Sequence, residues 1–506
     1  MGRLPSCIVL LALLVVSGWQ GAGAATGEEF DLVVRSGRVL DPETGLDEVM
    51  NVGIRAGRIA AVTPAEIHGA REVDASGHVV APGFIDLHTH SPTLLGQDFQ
   101  VRDGVTTALE LEAGSFPVER YGGQVAEAAR MNFGASVGYA SIRLRVKSGI
   151  VRPHMASPDM EMIGWKGWWT AFRALFATPQ EAFREPATAQ ERHEMRTLLE
   201  EGIASGGLGV GLPLDYFSEG MDAEEVGMVF EVAATAGVPV FIHLRRGING
   251  DPAGLREALA QARRTGAAVH ICHVTHNAMR NIDLFLREIR EARAEGVDVT
   301  TEVLPYNAGS AMIQSAVFGR DWRTIFAIDY SDVEWAATGE RFTREMFEEY
   351  RAKYPEGQVV HHYLEDAWTR RALAEDDVIV VSDLLPMESR DKNVAPHNGA
   401  FARVLGHYAR DGGVLSVSDA VRRMTLLPAQ RLEKFAPSFR RKGRLQVGAD
   451  ADLTIFDPAT VAARATYRDP WQASAGIETV IVGGEIVVEG GELVPGAAPG
   501  RRLLAD

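Results

Sequence analysis

The feature that most constrains this chain is a helix–strand rhythm running through its middle. "AEEVGMVFEVAATAG" (223–237) is an amphipathic helical pattern closed by glycine, and the apolar run "VPVFIHL" (238–244) follows at once. "PAGLREALAQARRTG" (252–266) leads in the same way into "AAVHICHV" (267–274), and "NIDLFLREIREARAEG" (281–296) into "VDVTTEVLPY" (297–306). Apolar strands separated by helices pair in parallel, with the helices covering the sheet. An α/β fold follows, and closure into a TIM-like (β/α)8 barrel fits residues 81–436.

On either side of that segment the texture changes to short β-type runs broken by turns. "FDLVVRSGRVLD" (30–41), "NVGIRAGRIAAVTP" (51–64) and "REVDASGHVVAPG" (71–83) precede it, and "ADLTIFDPATV" (451–461) and "ETVIVGGEIVVEGGELV" (478–494) follow it. The two flanks, 28–80 and 437–500, are expected to pair into one small β-sandwich. Residues 314–374 interrupt the rhythm with aromatic and charged residues ("DYSDVEWAATGERFTREMFEEYRAKYPEG") and read as a helical insertion. Following a barrel strand, it would land at the C-terminal face as a lid.

The first residues belong to none of this. Arg3, the apolar run "CIVLLALLVV" and Ala22-Gly23-Ala24 have the layout of a secretory signal peptide spanning 1–24. A secreted or periplasmic protein with no membrane attachment after cleavage is expected. Loss of Cys7 with the signal leaves Cys272 as the one remaining cysteine, so no disulfide can form within the mature chain. A formal charge of −17 argues against nucleic acid or an anionic membrane as partner and says nothing finer about the substrate.

Functional side chains collect at the ends of the apolar runs. In "VVAPGFIDLHTHSPT" (79–93), His88 and His90 share one strand face because side-chain direction alternates with period two. Two imidazoles there point to a divalent metal. "GVTTALELEAGSF" (104–116) places Glu110 and Glu112 on one face of an otherwise apolar strand; Glu112, nearer the end, is the expected ligand, the alternative being an ion pair with Arg143. His243 and His273 close two further strands, whereas His270 has the opposite parity to His273, His276 lies past the strand, and Cys272 reads as a small buried hydrophobe. Asp383, after "DDVIVV", is expected to bind metal and take a proton from water, with a helix N-cap as the plainer alternative.

The ordered set HxH, Glu, His, His, Asp resembles that of the amidohydrolase superfamily. "PGFIDLHTH" is similar to its first-strand signature and "GRLQVGADADLTIFDP" to its C-terminal return. Within it the chain looks like an N-acyl-D-amino-acid deacylase (D-aminoacylase), through "DGVTT", "NFGASVGYASIR", "EGIASGGLGVGLPLDY", "IHLR", "ICHVTH", "EARAEGVDVTTEVLPYNAGS", "VVSD" and "GAFARVLGHYARDGG". The resemblance implies one or two zinc ions held by His88, His90, His243 and His273, with Asp383 as acid/base and Glu112 replacing a cysteine that falls on Ala113 at the strand-three end. It also implies a lysine where Thr275 stands, and a substrate-holding arginine where "APHNGAF" has none. Arg390, Lys392 and His397 are candidate substitutes for that arginine, while Tyr216, Arg245 and Tyr306 are further substrate-binding candidates.

The expected activity is zinc-dependent hydrolysis of a linear amide, with N-acyl-D-amino acids or related acylated peptides as substrates. Cyclic-amide hydrolysis of hydantoinase or dihydroorotase type is the alternative enzyme, weakened by the lack of a strand-three lysine that could be carboxylated. A metal-dependent dipeptidase and a non-catalytic binding barrel are the remaining readings.

Overall fold

The computed structural model describes residues 30–505 except 155, 156, 158, 175–180 and 391–395. Lys392 and the expected signal segment therefore lie outside the described residues. Eight parallel strands, labelled β1–β8 in chain order, run Phe84–Asp86, Val105–Ser115, Asn132–Gly138, Val210–Pro213, Val240–His243, Val269–Ile271, Val299–Val303 and Val378–Val380. Past the ends of β8 and β1 the ring closes: Asp383 N donates to His88 O at 2.8 Å and His90 N to Leu384 O at 2.8 Å. This is a (β/α)8 barrel.

The strand sequences explain its two cores. Val240, Ile242, Val269 and Ile271 face outward and pack with Leu255, Leu259, Phe285 and Ile289 of the surrounding helices. The opposite parity places Phe241, Cys272 and Ile379 in a separate core with Ile85 and Leu109. Helix ends follow local chemistry: the Asp222 side chain accepts from Glu225 N to cap Ala223–Ala236, and Gly237 ends that helix at φ 70°, a left-handed conformation that costs glycine little.

The two β flanks join, as their shared texture predicts. Val79–Pro82 pairs antiparallel with Leu453–Phe456, linking strands from both parts of the chain into nine hydrogen-bonded strands. They form one hydrogen-bonded sheet. The long strand Phe30–Asp41 has a register shift between Val34 and Gly37, with Ser36 at φ 55°, which bends it over a core of Val39, Val52, Ile54, Leu453 and Ile481.

The insertion after β7 is not simply helical. It contains a four-stranded antiparallel sheet (Gly309–Met312, Val333–Trp335, Glu340–Arg341 and Gln358–His361) beside the helices Trp322–Phe326 and Arg344–Lys353. Its strands are two to four residues long, too short for an alternating signal to stand out from the charged helical residues around them. Phe318, Trp322, Phe326, Phe342 and Phe347 give it an aromatic core of its own. Among the described residues no helix is long and apolar enough to cross a membrane.

Candidate metal centre

His88 and His90 sit just beyond β1, where Asp86 fixes the local backbone. The Asp86 carboxylate accepts from His88 N at 3.2 Å and Ser382 N at 3.1 Å, tying β1 to the end of β8. His88 Nδ1 lies 2.6 Å from Glu302 Oε1, and His90 Nδ1 lies 2.7 Å from Glu110 Oε2. An imidazole that donates Nδ1–H to a carboxylate presents the Nε2 lone pair on its other side. These two Nε2 atoms face each other at 3.2 Å.

Two carboxylates complete the cluster. Glu112 Oε2 is 3.3 Å from His88 Nε2 and 3.5 Å from His90 Nε2, while Asp383 Oδ1 is 3.4 Å and 3.3 Å from the same atoms. A tetrahedral ion with ligands at about 2.0–2.1 Å needs donor–donor edges of about 3.3–3.4 Å. Five measured edges match that figure within a few tenths of an ångström, and converging lone pairs and anions demand a cation on electrostatic grounds.

The other Glu112 oxygen faces a second pair of imidazoles. Oε1 is 2.8 Å from His243 Nδ1 and 2.9 Å from His273 Nε2. One carboxylate thus stands between two histidine pairs, and His88, Glu112 and His273 also cluster at metal-ligand spacing. Burial alone would raise the Glu112 pKa, yet His88 and His243 hold it well below the usual carboxylate range. Burial likewise opposes charge on His88, but Glu112, Asp383 and Glu302 push its pKa well above the ordinary histidine value. Both shifts report a site arranged for positive charge.

Glu112 does not pair with Arg143, which instead binds Glu225 at 3.1 Å. No helix begins at Asp383; its backbone is left-handed (φ 48°) and its carboxylate faces the imidazoles. The segment carrying Glu112 is β2, the second barrel strand and not the third. His273 reaches the site because β6 ends at Ile271 and a left-handed turn at φ 30° swings the ring inward, so strand parity no longer applies. His270, expected to face away, points into the barrel and binds Glu302 Oε2 at 2.8 Å. Glu302 therefore joins His88, His270 and the His273 backbone N–H (3.1 Å). Its pKa falls to about 2 because His88 and His270 outweigh burial. Its signal was available: an acid inside the apolar strand "VTTEV", the same clue that singled out Glu110 and Glu112.

The wall above this centre matches the sequence expectations less well. Tyr216 lies on it, edge-on to His243 at 5.3 Å, and His397 lies on it with Nδ1 2.8 Å from Asp383 O. Tyr306 does not line the pocket; its hydroxyl donates to Pro396 O at 2.6 Å and its ring stacks on His397, so it supports the wall from behind. Arg245 turns away to Glu257 (2.9 Å) and the carbonyl of Ser218 (2.8 Å). Arg390 lies over the Phe99 ring, away from the centre. The cationic wall residue is the next in sequence, Arg246, joined by His276 and, from the insertion, His361 and Tyr363. Parity distinguishes Arg245 from Arg246 only once the turn after β5 is known. Arg320 of the insertion grips Asp215 through both oxygens, at 2.9 and 2.6 Å, fastening insertion to barrel.

The profile of the Amidohydrolase family matches residues 71–488. N-acyl-D-glutamate deacylase of Alcaligenes xylosoxydans xylosoxydans is 30% identical over 95% of this chain and 97% of its own. D-aminoacylase of the same organism is 30% identical over 90% and 94%. Among solved structures, N-acyl-D-glutamate deacylase from Bordetella bronchiseptica, complexed with zinc and a phosphonate inhibitor, superposes with a TM-score of 0.74 at 26% identity, covering 94% of this chain and all of that one.

Proposed function

Since the chain belongs to the amidohydrolase family, we propose that it is a zinc-dependent deacylase of N-acyl-D-amino acids, working at the centre formed by His88, His90, Glu112, His243, His273 and Asp383. The observation that carries this reading is Glu112: one buried carboxylate shared between two imidazole pairs, at spacings suited to one or two ions. A bound zinc ion supplies Lewis acidity, polarising a carbonyl and lowering the pKa of water.

The protein's own groups supply the rest. Glu302 and Glu110 hold the His88 and His90 rings with Nε2 aimed at the centre. Burial disfavours charge on Asp383, but His88 and His90 outweigh it and keep the carboxylate ionised at neutral pH. Asp383 takes a proton from the attacking water as the C–O bond forms, then delivers it to the amide nitrogen as the C–N bond breaks. Asp383 lines the pocket beside the His88 and His90 rings.

Export with cleavage after Ala24 is part of the proposal, supported by Arg3, the apolar run behind it and Ala22-Gly23-Ala24. The deciding experiment is zinc analysis of the purified protein with an assay on N-acetyl-D- and L-amino acids, dipeptides and hydantoins. Zinc-dependent release of D-amino acids is expected. Turnover of the cyclic amides alone, or failure to bind zinc, would overturn the reading.

A further inference from the structure

Arg246 stands three residues beyond His243, on the turn after β5, with its side chain only 6% exposed. Its Nη2 lies 3.4 Å from His243 Nε2, and its guanidinium rests over the Phe326 ring. It lines the same pocket as Asp383. A buried guanidinium normally spends its donors on a carboxylate. Asp215 is the neighbouring one, but Arg320 occupies both of its oxygens and the Arg246 backbone N–H takes Oδ1 as well. The Arg246 side chain is left 3.9 Å from Asp215, and its Nε has no partner. Asp383, across the pocket, directs Oδ1 at His88 and His90.

The rest of the wall carries no second fixed cation among the described residues. His276 and His397 each leave Nε2 without a hydrogen bond. His361 is pushed down to about 3 by burial and by the charge of Arg246, so it stays neutral. Leu304, Ala308, Val317 and Leu385 supply apolar surface.

We propose that Arg246 is the charged anchor for the carboxylate of the substrate, and that the pocket, with no second fixed cation among its described lining residues, selects N-acyl amino acids with an uncharged side chain over N-acyl-glutamate or N-acyl-aspartate. One guanidinium pairs with one carboxylate bidentately. A second carboxylate, on the side chain, would be desolvated against the neutral His361, hydroxyls and apolar surface, with no second fixed cation among the described wall residues to balance its charge. This inference rests on the deacylase reading and refines it. It runs against the name of one of the two 30%-identical relatives, the N-acyl-D-glutamate deacylase.

The test uses the zinc-loaded full chain with N-acetyl-D-leucine, N-acetyl-D-glutamate and N-acetylisopentylamine, the last being the leucine derivative without its carboxylate. The wild type should prefer N-acetyl-D-leucine to N-acetyl-D-glutamate by about 100-fold in kcat/KM. Arg246→Gln should collapse the preference for N-acetyl-D-leucine over N-acetylisopentylamine by about 100-fold, chiefly through KM, and Arg246→Lys should restore part of it. Calorimetric binding of D-leucine to the zinc-free protein, weakened in Arg246→Gln with an unchanged thermal melt, reports the anchor without turnover. No turnover of any N-acyl amino acid would overturn the deacylase reading. A preference for N-acetyl-D-glutamate, or a leucine-to-amine ratio and D-leucine binding indifferent to Arg246→Gln, would overturn the anchor alone.

Discussion

The floor of the pocket and the wall above it are made of the same residue types under opposite rules. On the floor every ring is committed: His88 to Glu302, His90 to Glu110, and His243 and His273 to Glu112. On the wall Arg246, His276 and His397 each keep a buried nitrogen without a partner. A floor whose rings are each fixed by a carboxylate holds a fixed geometry for chemistry, whereas a wall with donors in reserve meets its partner when substrate arrives. Perturbing the floor should therefore change metal content and kcat, and perturbing the wall should change KM, selectivity and the response to acid.

The largest effect is expected at Asp383. Asp383→Asn keeps the shape of the side chain and removes the proton acceptor, so kcat should fall by about 10^3- to 10^4-fold. Zinc retained to at least one equivalent would show that the loss is in proton transfer. A fall of less than tenfold would remove Asp383 from that role and leave the floor without a base.

A smaller effect tests whether the floor depends on the residues beneath it. Glu302→Gln can still accept one hydrogen bond but cannot satisfy His88, His270 and the His273 backbone together as a carboxylate does. Zinc affinity should weaken by about 10- to 100-fold, measured by competition with a chelator, while the barrel stays folded. Unchanged affinity would mean that the His88 ring is held by packing alone.

The same contrast explains what could be read from the sequence. The barrel and its closing order were legible because each helix–strand unit repeats a local pattern, and so were His88, His90, Glu112, His243, His273 and Asp383, each at the end of an apolar run. His270 was misplaced because parity was counted from His273, which had already left the strand through a left-handed turn. Arg246 and His361 could not be found that way. They meet through an insertion whose strands are too short to signal themselves, and through the Arg320–Asp215 tie, formed across 105 positions of sequence. Local chemistry wrote the floor, and long-range packing wrote the wall.

The smallest effect separates the two regions by pH. His361, on the insertion strand Gln358–His361, is buried among Phe318, Phe326 and Tyr363 and titrates near 3 because of burial first and Arg246 second. In the unfolded chain a histidine takes up its proton near 6.5. Between those values the unfolded state binds a proton that the native state refuses, so stability is complete above about pH 6.5 and declines as pH falls toward 3, by up to about 1.4 kcal/mol per pH unit. Glu302 adds a loss of the same sign, but only below about pH 4.5, so measurements between pH 5 and 7 exclude it. His361→Phe suits the aromatic surroundings and removes the titration. Its denaturation midpoint should vary less steeply with pH than that of the wild type across this interval, with zinc content the same in both. Equal slopes would mean that the wall pays nothing to keep this imidazole neutral beside Arg246, and that the guanidinium is already balanced by a group within the protein.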